Sequence, residues 1–161
     1  MITIISSTNR NNSVSKQVAL QYQELLNEYG TESTIIDLED LPSNFIETAL
    51  YENQGSNEDF NPIREHMKEA QKYVFIVPEY NGSFPGILKT FIDALEFPGT
   101  FKGKKCALVG ISAGIQGGAL ALSHLTDIFN YLGMHVLANR LKFNGISGIM
   151  ENEKIKNFFI K

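Results

Sequence analysis

The sequence has a single cysteine, Cys106, which excludes an internal disulfide and any multi-cysteine metal site. No apolar run approaches the ~20 residues that a transmembrane helix needs. The opening Met1-Ile2-Thr3-Ile4-Ile5 lacks a basic region and a small-residue cleavage site, so it does not read as a secretory leader. The expectation is a cytoplasmic protein without a membrane partner. Charge of one sign is also scarce: fourteen Lys+Arg against eighteen Asp+Glu leave −4. That balance offers no basic patch to nucleic acid and too little acid for an acidic tail. What remains is a chain of 161 residues, 43% hydrophobic and 20% charged. It is too apolar for disorder and long enough for one domain spanning residues 1–161.

Apolar, β-branched runs recur at 2–6, 33–37, 73–77, 107–112 and 135–138. Consecutive apolar positions suit strands buried on both faces. Between them lies helical spacing. Val14, Val18, Tyr22, Leu25 and Tyr29 recur every three or four residues, and Gly30 stands where that helix should stop. Further helices are expected over 60–72, 85–95 and 118–132, the last followed by Gly133. Five strand–helix alternations predict a doubly wound parallel sheet with helices on both faces. The segment 42–61 reads as a surface excursion, and 150–160 as a short closing helix.

Ligands of such sheets sit at the carboxyl ends of the strands, near the switch in strand order. After the first strand come Ser7, Thr8, Asn9, Arg10, Asn11, Asn12, Ser13, Val14 and Ser15. Hydroxyls, short amides and a guanidinium entering a helix N-terminus suit a phosphate. The same loop lacks both G-x-x-x-x-G-K-[ST] and G-x-G-x-x-G, so neither a Walker A loop nor a dinucleotide turn is present. As a plain solvated turn it needs only Ser13, as N-cap. After the third strand come Pro78, Glu79, Tyr80, Asn81, Gly82, Ser83, Phe84 and Pro85. Asn81-Gly82 makes a tight turn, and Tyr80 offers a flat surface for a heteroaromatic ring. After the fourth strand, Gly110, Gly114, Gly117 and Gly118 fall within nine residues around Ser112 and Ala113. They admit either close approach of a ligand or tight packing of helix on sheet.

Together, S-T-N-R-x-x-S (7–13), PEYNGSFPGILKTFIDAL (78–95) and SAGIQGG (112–118) resemble the NADPH-dependent FMN reductase family. The resemblance runs in order over nearly the whole chain, and P-E-Y-N-G-S-x-P-G is its most specific part. It implies a flavodoxin-like fold of strand order 2-1-3-4-5 and bound FMN, with NADPH or NADH as hydride donor. The FMN phosphate would lie on Ser7, Thr8, Asn9, Arg10, Ser13, Val14 and Ser15. The ring would rest against Pro78, Glu79, Tyr80, Asn81, Gly82 and Ser83, with Ser112, Ala113, Gly114 and Gly117 closing the other side. Two departures stand out: Ser6 where many members have glycine, and Ile115-Gln116 where many carry a basic residue.

Because FMN does the redox chemistry, no catalytic acid or base and no metal are expected. The resemblance implies ping-pong use of one flavin face, with quinone, azo, metal-oxyanion or free-flavin acceptors. It further implies a homodimer or homotetramer, for which 84–95 and 45–51 are candidate contacts. Two other readings compete. A flavodoxin-type carrier would be more acidic and would shield the ring with bulky aromatics, whereas this chain has no tryptophan. A serine hydrolase would use Gly110-Ile111-Ser112-Ala113-Gly114 as a nucleophile elbow. Asp127, His124 and His135 then fall too close together to supply strand-end partners.

Overall fold

The computed structural model describes residues 1–144; the closing helix expected over 150–160 lies outside them. Five parallel strands form one sheet: β1 (Ile2–Ser6), β2 (Ser33–Asp37), β3 (Lys72–Pro78), β4 (Lys105–Ser112) and β5 (His135–Asn144). Their spatial order is β2-β1-β3-β4-β5, the flavodoxin-like arrangement. The helices are α1 (Val14–Glu28), α2 (Phe45–Thr48), α3 (Asn61–Glu69), α4 (Gly86–Asp93) and α5 (Ala119–Tyr131).

Strand alternation divides the core in two. Ile5, Phe75, Val77 and Leu108 point to the face covered by Phe45, Met67, Leu88, Phe91, Leu125 and Phe129, from α2 to α5. Ile4, Val74, Ile76 and Val109 point the other way, where Val18, Tyr22 and Leu25 of α1 meet them. Both faces of the central strands are dry, which is why those strands read as unbroken apolar runs.

β5 is longer than its apolar run. Beyond residue 138 it alternates Arg140 and Lys142 with buried Leu141 and Phe143, the pattern of an edge strand with one wetter side. Its register slips between Cys106 and Leu108 of β4. The expected helix over 60–72 is shorter, because Ala70 leaves helical geometry and Lys72 already belongs to β3. The 42–61 segment is not purely superficial. Tyr51 and Ile46 are exposed, but Phe45 and Phe60 are buried in an edge-on pair with centroids 4.7 Å apart.

Strand order reverses between β1 and β3. Register pairs Ser6 with Ile76 and Pro78 with Ile111, so β1, β3 and β4 end at one edge of the sheet. The loops following those three strands therefore open on the same crevice.

Candidate functional site

The loop after β1 is anchored before it turns outward. Ser7 donates its N–H to Ile76 O (3.0 Å) and its hydroxyl to Ile5 O (3.3 Å), so both its donors face the sheet. Thr8 is fully buried; its Oγ1 accepts the Arg10 N–H (3.3 Å) and lies 3.0 Å from the Tyr80 hydroxyl. Asn9, Arg10, Asn11 and Asn12 are exposed. Asn12 takes a left-handed φ of +50°, which turns the chain into α1. Ser13 then caps the helix by accepting the Lys16 N–H at 3.1 Å, which leaves its own hydroxyl proton to donate.

The N–H groups of Val14 and Ser15 open the helix and have no intrahelical partner. No acidic residue of α1 itself occupies this first turn, so the helix's own side chains do not oppose an anion at its positive end. Lys16 is engaged elsewhere, 3.0 Å from Asp37 and 3.6 Å from Glu39. Its pKa is raised by that hydrogen bond to Asp37 and by the carboxylate's charge.

The loop after β3 is a tight turn. Tyr80 and Ser83 exchange N–H···O bonds of 2.8 and 3.0 Å, and Asn81 (φ +51°) and Gly82 (φ +77°) sit between them. The N–H groups of Asn81 and Gly82 lie outside these two bonds. Glu79 is tied to β4 through its N–H to Ile111 O (2.8 Å). Its Oε2 is buried without a hydrogen-bond partner among the described residues, as is Ser6 Oγ at the end of β1. Tyr80 is more than a flat surface: its hydroxyl ties this turn to the first loop.

In the loop after β4 the glycines do two different things. A Cβ on Gly110 would lie 2.4 Å from Gly117 O, and one on Gly117 would lie 2.9 Å from Lys142 Cβ. Gly118 similarly abuts the backbone of Gly110. These three glycines pack helix against sheet, and a side chain on Gly117 would run into β5. Gly114 is exposed, with only Ser112 Oγ, at 3.5 Å, near an added Cβ. Ser112 Oγ accepts the Gly114 N–H (3.1 Å), and Ala113, Ile115 and Gln116 are exposed.

Among the described residues no histidine and acid are assembled around Ser112 as a nucleophile elbow requires. His135 pairs with Lys105, seven strand steps of about 3.3 Å from Ser112, and hence roughly 23 Å away. His124 instead places Nδ1 3.0 Å from Ser83 Oγ. His66 bonds Thr3 at 2.9 Å, on the far side of β1 from the loops. His124 is the site neighbour that sequence reasoning missed. Ser83 lies 41 positions away, and no spacing rule connects them.

The donor set fits a phosphate-bearing aromatic ligand such as FMN: N–H groups and a guanidinium at an acid-free helix start, then a turn with two unengaged N–H groups. Cys106, far from these loops, is buried, and burial pushes its thiol up to about 12. Among the described residues no group of three or more acidic, histidine or cysteine side chains is arranged to hold a metal, and no helix is long and apolar enough to cross a membrane.

Known proteins resemble the chain as follows. A family model described as NADPH-dependent FMN reductase matches residues 1–145. An NAD(P)H-dependent FMN reductase of Pseudomonas aeruginosa is 40% identical over 77 residues, 47% of this chain and 42% of that one. A 2-hydroxy-1,4-benzoquinone reductase of a Burkholderia species is 30% identical over 147 residues, covering 86% of this chain and 74% of its own. The chain thus spans less than half the length of the first relative. In three dimensions, an NADH:FMN oxidoreductase in its apo form aligns over 99% of this chain and 88% of its own, with a TM-score of 0.76. At 18% identity that likeness concerns the fold alone.

Proposed function

Since the chain belongs to the NADPH-dependent FMN reductase family, we propose that it holds FMN at the three loops and uses NAD(P)H to reduce small acceptors, quinones first. The observation that carries this reading is the convergence of the loops after β1, β3 and β4 at the point where strand order reverses. Bound there, FMN would supply the redox chemistry, hydride acceptance from a nicotinamide and delivery of one or two electrons to an acceptor. The protein binds and orients. Asn9, Arg10, Ser13 and the N–H groups of Val14 and Ser15 hold the phosphate, on a loop that Ser7 and Thr8 pin to the sheet. Residues 78–83 would lie along the ring, with Ser112, Ala113 and Gly114 at its other side. Gly117 supports them from behind.

The open character of the third loop bears on the acceptor. Ala113 to Gln116 are exposed, and Ile115 is 90% so. Among the described residues no bulky aromatic covers that side, which suits a nicotinamide and a small acceptor using one face in turn. The Burkholderia relative supports quinones as the first acceptors to try, followed by azo compounds, metal oxyanions and free flavin. A cytoplasmic dimer completes the proposal. A groove between α4 and α5 exposes stacked Phe97 and Tyr131, an apolar patch that a second copy would cover, while Lys89 at its rim is already paired with Asp93.

An absorption spectrum of the protein loaded with FMN and freed of excess tests the central claim. Bands near ~450 nm that bleach with NADPH or NADH are expected. Bands that persist with both would favour a carrier, and absence of bound flavin would sink the assignment. Elution of the same sample at 18.0 kDa would reject the dimer.

A further inference from the structure

His124 lies in the second turn of α5, on its exposed side beside Ser123 and Asp127. Nothing in the core requires an imidazole there. Its Nδ1 nevertheless meets Ser83 Oγ at 3.0 Å, and Ser83 closes the 80–83 turn. The turn is thereby held from two sides. Tyr80 ties it to Thr8 of the first loop, and Ser83 ties it to α5. A two-residue turn held by one side-chain bond can pivot about that bond; a second anchor removes the freedom. Between the anchors lie Asn81 and Gly82, whose N–H groups are not used by the turn.

Resting on the flavin reading above, the geometry points to His124 as a positioning residue of the flavin site: acting through Ser83, it holds the N–H groups of Asn81 and Gly82 in fixed orientation for the ligand. An imidazole nitrogen and a hydroxyl suit this role, because either can supply the donor while the other accepts. An apolar side chain at 124 would leave the hydroxyl without its protein partner and the turn with a single tether. The benefit is preorganisation, since ordering the turn in advance removes part of the entropy lost on binding.

The test compares His124→Phe, His124→Asn, Ser83→Ala and the double variant His124→Phe/Ser83→Ala. Asn keeps a polar atom close to the place of Nδ1. FMN affinity by fluorescence titration, the midpoint potential of the bound flavin, and amide exchange at Asn81 and Gly82 in flavin-free protein are the readouts. His124→Phe and Ser83→Ala are each expected to weaken FMN roughly three- to tenfold. The double variant should be no worse than either, and His124→Asn should restore affinity and potential. Exchange at Asn81 and Gly82 should quicken in His124→Phe. Unchanged affinity and potential, with only the melting temperature lowered, would reduce the pair to a fold contact and overturn the proposal; additive losses would also overturn it. If the parent protein binds no FMN, the flavin reading fails by itself. Amide exchange then still decides whether His124 orders the turn.

Discussion

Arg10 stands out among the charged residues of the first loop. Lys16, six positions on, is held by Asp37 and Glu39. Arg10 is exposed, and among the described residues no carboxylate pairs with it. Only its backbone N–H is engaged, by Thr8 Oγ1, so the guanidinium extends from an anchored point. A cation on an anchored backbone at the mouth of an acid-free helix start is suited to phosphate rather than to fold stability. Arg10→Ala is therefore expected to weaken FMN by about 1.5–3 kcal/mol, the range for a hydrogen bond to a charged group. The melting temperature should stay at the parent value. A titration showing unchanged FMN affinity would remove Arg10 from the phosphate site.

The connection from β4 to α5 has to be judged as an element, because its glycines serve opposite ends. Gly110 lies inside β4 against the Gly117 carbonyl, so Gly110→Ala forces helix and strand apart. Overpacking of this kind costs about 1–3 kcal/mol, or a fall of roughly 2–12 °C at this size. Gly114 has open space around it, so Gly114→Val should melt close to the parent while crowding the ring and weakening FMN. Equal melting losses in both variants, or full FMN affinity in Gly114→Val, would refute the division. Residue types alone did not reveal it, since both groups of glycines share one nine-residue stretch. The elements themselves were legible where physics is local: buried parallel strands as apolar runs, α1 by its three-to-four spacing and Gly30. Legibility failed where tertiary context decides. Arg140 and Lys142 extend β5 because an edge strand tolerates polar residues, and Phe45 with Phe60 draws an otherwise polar excursion into the core. The three loops could be read from strand order, whereas His124 reaches Ser83 only through the packing of α5.

Across the whole molecule, burial of ionisable groups sets a direction for stability against pH. Tyr22 belongs to α1 and is buried against one face of the sheet, while Tyr73 and Cys106 lie in the core of the other. Burial raises all three pKa values. Cys106 moves from an ordinary 9.0 to about 12, and both tyrosines move well above their ordinary 10.0, with Cys106 adding to the rise at Tyr73. Each group therefore keeps its proton longer folded than unfolded. Above pH 9 the unfolded chain binds fewer protons than the native one, so stability falls as pH rises. Lys104 acts in the opposite sense. Burial lowers its pKa, so below 10.5 the native state gives up that proton first. Arg140, likewise lowered by burial, adds to that opposition. The ion-paired Lys16 and Lys68, whose pKa values are raised, side with the three acids, so the balance remains alkaline destabilisation. Urea midpoints should hold from pH 6 to 8 and decline from pH 9 to 11 on both core faces together. Tyr22→Phe should flatten the part of that decline above pH 10 while leaving the onset near pH 9, which belongs to Cys106. A midpoint constant to pH 11 in the parent would mean that water reaches these groups in the native state, contrary to the burial on which both core faces depend.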